Sequence, residues 1–316
     1  MRMSKTVLGI DTSNYTTSAA LYRDGEILAN FKTLLTVGAG ERGLRQSDAL
    51  FQHTKNLPET LTKIRETLGD GTVCAVGAST RPRNVDGSYM PCFLAGVSAA
   101  TSFATALGVP LYSFSHQCGH LMAALYSSGA EIPMDQPFGA FHVSGGTTEL
   151  LYVSSRSREG FAAQIVGGTA DLNAGQVIDR IGVAMGLSFP AGPALEQLAL
   201  QNTKRIPRRK IPLEGFFFNL SGLENLALKL YSETADAPLT AAFVLDYVAR
   251  ALEEIGKAFR QKYGEIPLVY GGGVMSNGII KERLAAYPHS YFAQPAFSSD
   301  NACGIAILAA QAYETE

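Results

Sequence analysis

The stretch TVLGIDTSNYTTSAALY (residues 6–22) is an apolar run ending on Asp11, a polar turn, and a second apolar run. The stretch FGAFHVSGGTTELLYV (residues 138–153) repeats that plan, with Ser144, Gly145, Gly146, Thr147 and Thr148 as its turn. Short apolar runs bounded by Gly, Ser, Asn and Asp are a strand signal, so each stretch reads as strand, turn, strand. Two copies of one opening predict two related units. Around the first copy lie a third strand at 26–31, helical spacing over 50–64, a strand at 73–78, a small-residue helix over 92–107 and a strand at 110–114. After the second come helical segments at 172–185, 223–231 and 241–262, a strand at 267–270, and helices beyond Met275 and Ser299. Strands alternating with helices imply an α/β fold with largely parallel or mixed, covered sheets. Ser, Gly, Pro and Asp cluster over 128–136, which places the division between units 1–130 and 131–316.

The composition, 46% hydrophobic and 17% charged, excludes disorder, collagen and coiled coil. Lys and Arg number 26 against 28 Asp and Glu, a net charge of −2. No global basic field invites nucleic acid, so any such contact needs a local patch. Cys74, Cys92, Cys118 and Cys303 are scattered without CxxC spacing, as in a chain of the reducing cytoplasm. The apolar run 6–10 is too short for a signal peptide. Residues 87–115 are uncharged and long enough to span a bilayer, but Pro91, Gly96, Gly108 and Pro110 punctuate them. A buried helix and strand are expected there, and no membrane span.

His116 and His120 stand four apart at the start of an apolar segment. On a helix both imidazoles leave one face a turn apart and can share a metal ion, although two such histidines can equally cap or pack. A protease of the HExxH kind wants Glu after the first His, and Gln117 is no general base. Asp300 is the candidate third ligand, with an ordinary helix N-terminal acid as the alternative; two His and a carboxylate suit Fe²⁺ or Zn²⁺. Three turns follow apolar strands and offer backbone amides to an anion: 9–17, 144–148 and 271–277, the last with Gly272, Gly273 and Asn277. None carries the Lys of a P-loop. Asp179 lies in a helical pattern ahead of Phe189-Pro190-Ala191-Gly192-Pro193, either as a solvated acid or as a carboxylate for a ribose. Lys204, Arg205, Arg208, Arg209 and Lys210 form one basic run, usually a solvated loop but also the place to look for RNA phosphate contact.

Taken in order, these residues resemble the TsaD family of tRNA threonylcarbamoyladenosine transferases, once labelled glycoproteases. The resemblance covers nearly the whole chain. Residues 8–13 look like the family's opening strand, His116 to His120 like its HxxxH, and Val143-Ser144-Gly145-Gly146-Thr147 like its VSGGHT turn. Asp179, residues 189–193, Phe218-Asn219-Leu220-Ser221-Gly222-Leu223, Gly272-Gly273-Val274 with Asn277, and Asp300-Asn301-Ala302 follow in the family's order. The resemblance implies two related lobes of the actin, sugar-kinase and chaperone-ATPase type, with a nucleotide and a metal in the cleft between them. It implies His116, His120 and Asp300 as ligands of one divalent metal, Fe²⁺ or Zn²⁺. It places ATP or threonylcarbamoyl-AMP against Val143 to Thr147, Asp179, Gly192 and Asn277. The implied reaction moves threonylcarbamoyl to N6 of adenosine 37 in tRNA, in the cytoplasm, with TsaB-like and TsaE-like partners; a dimer is compatible with this.

The chain also departs from the family. Ser13-Asn14-Tyr15-Thr16-Thr17 stands where members usually read Ser-Cys-Asp-Asp-Thr, Gln117-Cys118-Gly119 where they read Met-Glu-Gly, and Thr147 where they have His. Residues 171–176 read Asp-Leu-Asn-Ala-Gly-Gln for Asp-Asp-Ala-Ala-Gly-Glu, and a basic segment, 81–87, replaces Gly-Pro-Gly-Leu. Lost acids with retained metal ligands fit a divergent paralogue, with a changed substrate or reduced turnover, at least as well as the housekeeping enzyme. Two alternatives follow: a kinase or ATPase of the same fold, with Asp11 as a catalytic carboxylate toward Mg²⁺-bound phosphate, or a non-catalytic scaffold of a tRNA-modification complex.

Overall fold

The computed structural model describes residues 5–13, 15–37, 44–133, 135–157 and 160–315. Asn14 of the first turn and Met134 of the expected boundary lie outside them. The contacts divide the chain into two units. Unit 1 holds Met1–Tyr126, Ser155–Ala162 and Ser299–Glu316, and unit 2 holds Ser127–Ser154 and Ala163–Ser298. The first break follows Tyr126, and the C-terminal helix belongs to unit 1 because it packs on that unit's sheet.

Unit 1 is built on β1 (Thr6–Asp11), β2 (Thr16–Arg23), β3 (Glu26–Leu34), β4 (Val73–Arg81) and β5 (Leu111–Ser115), in the order β3-β2-β1-β4-β5. β1 runs antiparallel to β2 and parallel to β4. Its helices are α1 (Gln46–Leu68), α2 (Phe93–Leu107), α3 (His116–Ser128) and, at the C-terminus, α10 (Cys303–Glu314). Strand alternation gives the sheet two apolar faces. Leu8 and Ile10 share a cluster with Leu57 and Ile64 of α1 and Ala100 and Ala104 of α2. On the opposite face Gly9 leaves room for α10, since a Cβ there would stand 2.6 Å from Ala306 N. α2 ends where Gly108 takes φ +65°, a conformation glycine adopts without a Cβ penalty.

Unit 2 repeats the order. β6 (Phe138–Val143), β7 (Thr148–Ser157), β8 (Gly160–Thr169), β9 (Phe217–Phe218), β10 (Leu268–Gly271) and β11 (Ser290–Phe292) lie as β11-β10-β6-β7-β8-β9. Apart from the two-residue β9, that is the first sheet's arrangement, with β6 antiparallel to β7 and parallel to β10. Phe141, Tyr270 and Phe292 sit opposite one another on β6, β10 and β11 and stack at 4.9 and 4.8 Å, which pins the register. The core is filled by α4 (Ala174–Ala184), α5 (Gly192–Leu200), α6 (Ser221–Thr234) and α7 (Ala237–Tyr263). α7 starts at Asp236, whose side chain accepts the Leu239 N–H. α8 (Gly278–Ala285) starts at Asn277, which accepts the Ile280 N–H, and α9 (Pro295–Ser298) is a single turn. No helix among the described residues is long and apolar enough to cross a membrane, and the four cysteines are free. β8, α5 and β11 are absent from the sequence reading: three glycines dilute β8, and Gly-Pro opens α5.

Candidate functional site

In unit 1, β5 ends at Ser115 and α3 begins at His116, so the first imidazole stands at the C-terminal edge of the sheet beside the end of β1. His120 follows one turn later on the same face, the rings 4.3 Å apart. Asp300 reaches them because α10 lies backbone to backbone on α3. A Cβ on Gly304 would overlap the Gly119 carbonyl, so only glycine permits that approach. Asn301 accepts the Cys303 N–H at 3.0 Å and turns the chain into α10, which leaves Asp300 to the histidines. Asp300 Oδ1 lies 3.6 Å from His116 Nε2 and 3.2 Å from His120 Nε2. These three side chains are the group, among the described residues, whose atoms converge as metal ligands, all within 4.8 Å.

Behind them stands Asp11, read from the sequence as a carboxylate reaching toward a phosphate-bound cation. It is 1% exposed, one oxygen meets His116 Nδ1 at 2.6 Å, and the other accepts the Ser13 N–H at 2.7 Å. A carboxylate on the far nitrogen of a histidine fixes the ring and aims its other nitrogen at a metal. Burial disfavours charge on His116, but Asp11 and then Asp300 outweigh it and raise its pKa to about 10. Burial likewise pushes Asp300 upward, and the two histidines overcome it, holding it well below the usual carboxylate range. The cluster is thus strongly cation-seeking, and a divalent ion among Nε2, Nε2 and Oδ1 meets that demand. The donor set fits a metal.

The second constellation lies wholly in unit 2. A cavity of about 330 Å³ is lined by Gly145, Gly175, Ile178, Asp179, Pro190, Gly192, Pro193, Glu196, Gly273, Val274, Ser276 and Asn277. Ile178, Pro190, Pro193 and Val274 supply apolar walls, and α4 and α5 begin at its rim. Helix starts present unpaired N–H groups and favour anions. Asp179 accepts the Ala191 N–H at 2.8 Å and so holds the turn that opens α5. Glu196 accepts the Gly278 N–H at 2.7 Å and ties α5 to α8.

Of the expected residues, His116, His120 and Asp300 come together in unit 1, and Gly145, Asp179, Gly192, Gly273 and Asn277 in the unit 2 cavity. Val143 is buried in the core, and Gly272, at φ +97°, packs on its backbone, so both shape the turns without lining the cavity. Ser144 Oγ accepts the Gly146 and Thr147 N–H groups, so these three residues close the turn on itself. Sequence reasoning missed Gly175, Ile178 and Glu196. Glu196 stands four residues after Gly192 on one helix face, a spacing that could have found it.

A family model described as TsaD, tRNA N6-adenosine threonylcarbamoyltransferase, matches residues 43–307. A curated protein of that name from Streptococcus suis (strain 05ZYH33) is 34% identical over 305 residues, covering 90% of this chain and 85% of that one. Among solved structures, full-length HypF in its phosphate- and nucleotide-bound form aligns with TM-score 0.62 at 12% identity, over 99% of this chain and 57% of that one. A ROK family glucokinase from Streptomyces griseus aligns with TM-score 0.54 at 16% identity, over 97% of this chain and 99% of that one. At such identities the structural likeness concerns the fold alone, two α/β units of the sugar-kinase and actin-like type.

Proposed function

The chain belongs to the TsaD family of tRNA N6-adenosine threonylcarbamoyltransferases, and from that premise we propose that it transfers a threonylcarbamoyl group from threonylcarbamoyl-AMP to N6 of adenosine 37 in tRNA. The observation that carries the reading is the His116, His120 and Asp300 triad with Asp11 behind it, in a chain of this family. The N6 amine attacks the carbonyl carbon of the mixed anhydride, the carbon–oxygen bond to phosphate breaks, and AMP leaves with that electron pair. The amine gives up one proton to solvent.

In this reading His116, His120 and Asp300 hold one Fe²⁺ or Zn²⁺, the ions suited to two imidazoles and one carboxylate. Bound there, the ion would supply Lewis-acid chemistry. Asp11 keeps the His116 proton on Nδ1, so that Nε2 presents its lone pair. The unit 2 cavity takes the adenylate: Ile178, Pro190, Pro193 and Val274 pack the base, Asp179 takes a ribose hydroxyl, and the helix starts face the phosphate, with Mg²⁺ a further candidate when ATP is bound. TsaB-like and TsaE-like partners and a cytoplasmic setting belong to the same proposal.

The test is reconstitution of the chain with such partners, threonylcarbamoyl-AMP and tRNA, followed by nucleoside mass spectrometry. The expected product is N6-threonylcarbamoyladenosine, absent with His120→Ala. Metal-loaded protein that yields none with every partner present would refute the reading.

A further inference from the structure

The basic run that no role has yet absorbed lies in unit 2, between α5 and α6. Residues 202–213 form no helix or strand, yet their path is fixed. Asn202 and Lys204 close a turn on each other, the Asn202 Nδ2 donating to the Lys204 carbonyl at 2.8 Å and the Lys204 N–H to Asn202 Oδ1 at 3.1 Å. The Lys204 ammonium pairs with Asp236 at 2.6 Å. Ile206 and Ile211 pack inward on the core, and the Arg209 carbonyl accepts from Arg250 Nη1 at 2.9 Å. Arg250 is itself anchored by Asp246 at 2.8 Å. With the apolar residues turned in, Arg205, Arg208, Arg209 and Lys210 are left exposed on a pinned strap.

These four differ from the other cations of unit 2. Arg180, Lys204, Lys229, Arg250, Lys257, Arg260 and Arg283 all pair with carboxylates. Lys262 and Lys281 lie over aromatic rings. Among the described residues, Arg205, Arg208, Arg209 and Lys210 have neither kind of partner. Four like charges within six residues make a local positive field that attracts a polyanion. We propose that this strap docks the phosphodiester backbone of RNA.

The identity of the partner rests on the transferase reading above; the strap itself does not. Guanidinium forks grip phosphate bidentately, and three of the four are Arg. On a chain of net charge −2 the strap concentrates what attraction there is for a polyanion. Its two isoleucines pack inward and are not offered to a bilayer.

The experiment measures tRNA binding by fluorescence anisotropy from about 50 to about 200 mM KCl, for wild type and for R205Q/R208Q/R209Q/K210Q. Each phosphate contact contributes roughly 0.7 to 0.9 to the slope of log K on log salt, so the quadruple variant should lose about 3. Affinity at low salt should fall at least about tenfold. An all-Lys variant of the three arginines should keep the slope, and melting temperature and metal content should match wild type in both. An unchanged slope and affinity in the quadruple variant overturns the proposal. So does a loss of binding to phosphatidylserine vesicles or to poly-glutamate with tRNA binding intact. If wild type modifies tRNA and the quadruple variant does so with the same KM, the strap alone is refuted. If wild type with its partners neither binds nor modifies tRNA, the transferase reading falls and takes the strap's RNA partner with it.

Discussion

Gly304→Ala is the sharpest test of how the triad is assembled, because it changes no ligand and adds one methyl group. Built on the Gly304 backbone, the new Cβ would lie 2.7 Å from the Gly119 carbonyl carbon and 2.9 Å from Ala123 N. Ordinary separations between non-bonded carbons are about 3.5 to 4.0 Å, so α10 has to retreat from α3 by about an ångström. These are backbone atoms and cannot swing aside as a side chain would. Asp300 stands four residues before Gly304 and both histidines are on α3, so the retreat opens the 3.2 Å and 3.6 Å separations directly. Sites of this kind tolerate displacements of about 0.5 Å, and a metal affinity at least about 10-fold weaker is expected. Overpacking of this sort costs about 1 to 3 kcal/mol, a fall in melting temperature of several degrees. The assay is elemental mass spectrometry of protein dialysed against a graded chelator, with a thermal melt of the same samples. A variant that holds its metal as tightly as wild type would refute the account of α10 as the element that delivers Asp300.

Asp11→Asn preserves the volume behind His116 but removes the charge, and metal affinity should fall about 10- to 100-fold by chelator competition, with the melt little changed. Asp179→Ala leaves the Ala191 N–H without its acceptor, at a cost of about 1 to 3 kcal/mol, so calorimetric affinity for an ATP analogue should weaken about tenfold or more. His53, 0% exposed and bonded through Nδ1 to Thr17 Oγ1 at 2.8 Å, has its pKa pushed down by burial to about 4. Below its ordinary value near 6.5 the unfolded chain takes up a proton that the folded chain refuses. His53 therefore contributes stability that is complete above about pH 6.5 and is lost as pH falls toward 4, up to about 3 kcal/mol. Urea melts of His53→Gln should flatten that part of the pH dependence; an unaltered profile would show that His53 is not what titrates.

The doubled fold was legible because its signal is local. The runs 6–22 and 138–153 carry their strand period and their turn chemistry within a few residues each, and both became sheets of one order. β8 escaped because Gly160, Gly167 and Gly168 interrupt its alternation, and its strand state is set by the neighbours it pairs with. The turn 189–193 reads as a stop, yet its last residues open α5 once Asp179 holds the Ala191 N–H. His116 and His120 were legible because one helix carries both. Asp300 was legible only as one of two readings, third ligand or helix-terminal acid, because a carboxylate before an apolar helix serves either; the close approach of Gly304 to Gly119, with Asn301 accepting the Cys303 N–H, brings it to the histidines.

The lost acids of the first turn acquire a physical meaning from the same geometry. Members of the family usually carry carboxylates where this chain has Tyr15 and Thr16. Thr16 Oγ1 here lies 3.5 Å from Asp300 Oδ2, and Thr17 is bonded to His53. A carboxylate at position 16 would face Asp300 across that gap and add a third negative charge to the pair formed by Asp11 and Asp300. With neutral imidazoles, a divalent ion balances two carboxylates and leaves the site uncharged; with three, the buried site would carry a net negative charge that needs a further cation. A hydroxyl at 16 therefore suits a site that binds one dication and nothing more. The change removes a negative charge beside Asp300 while leaving the triad's own side chains in place.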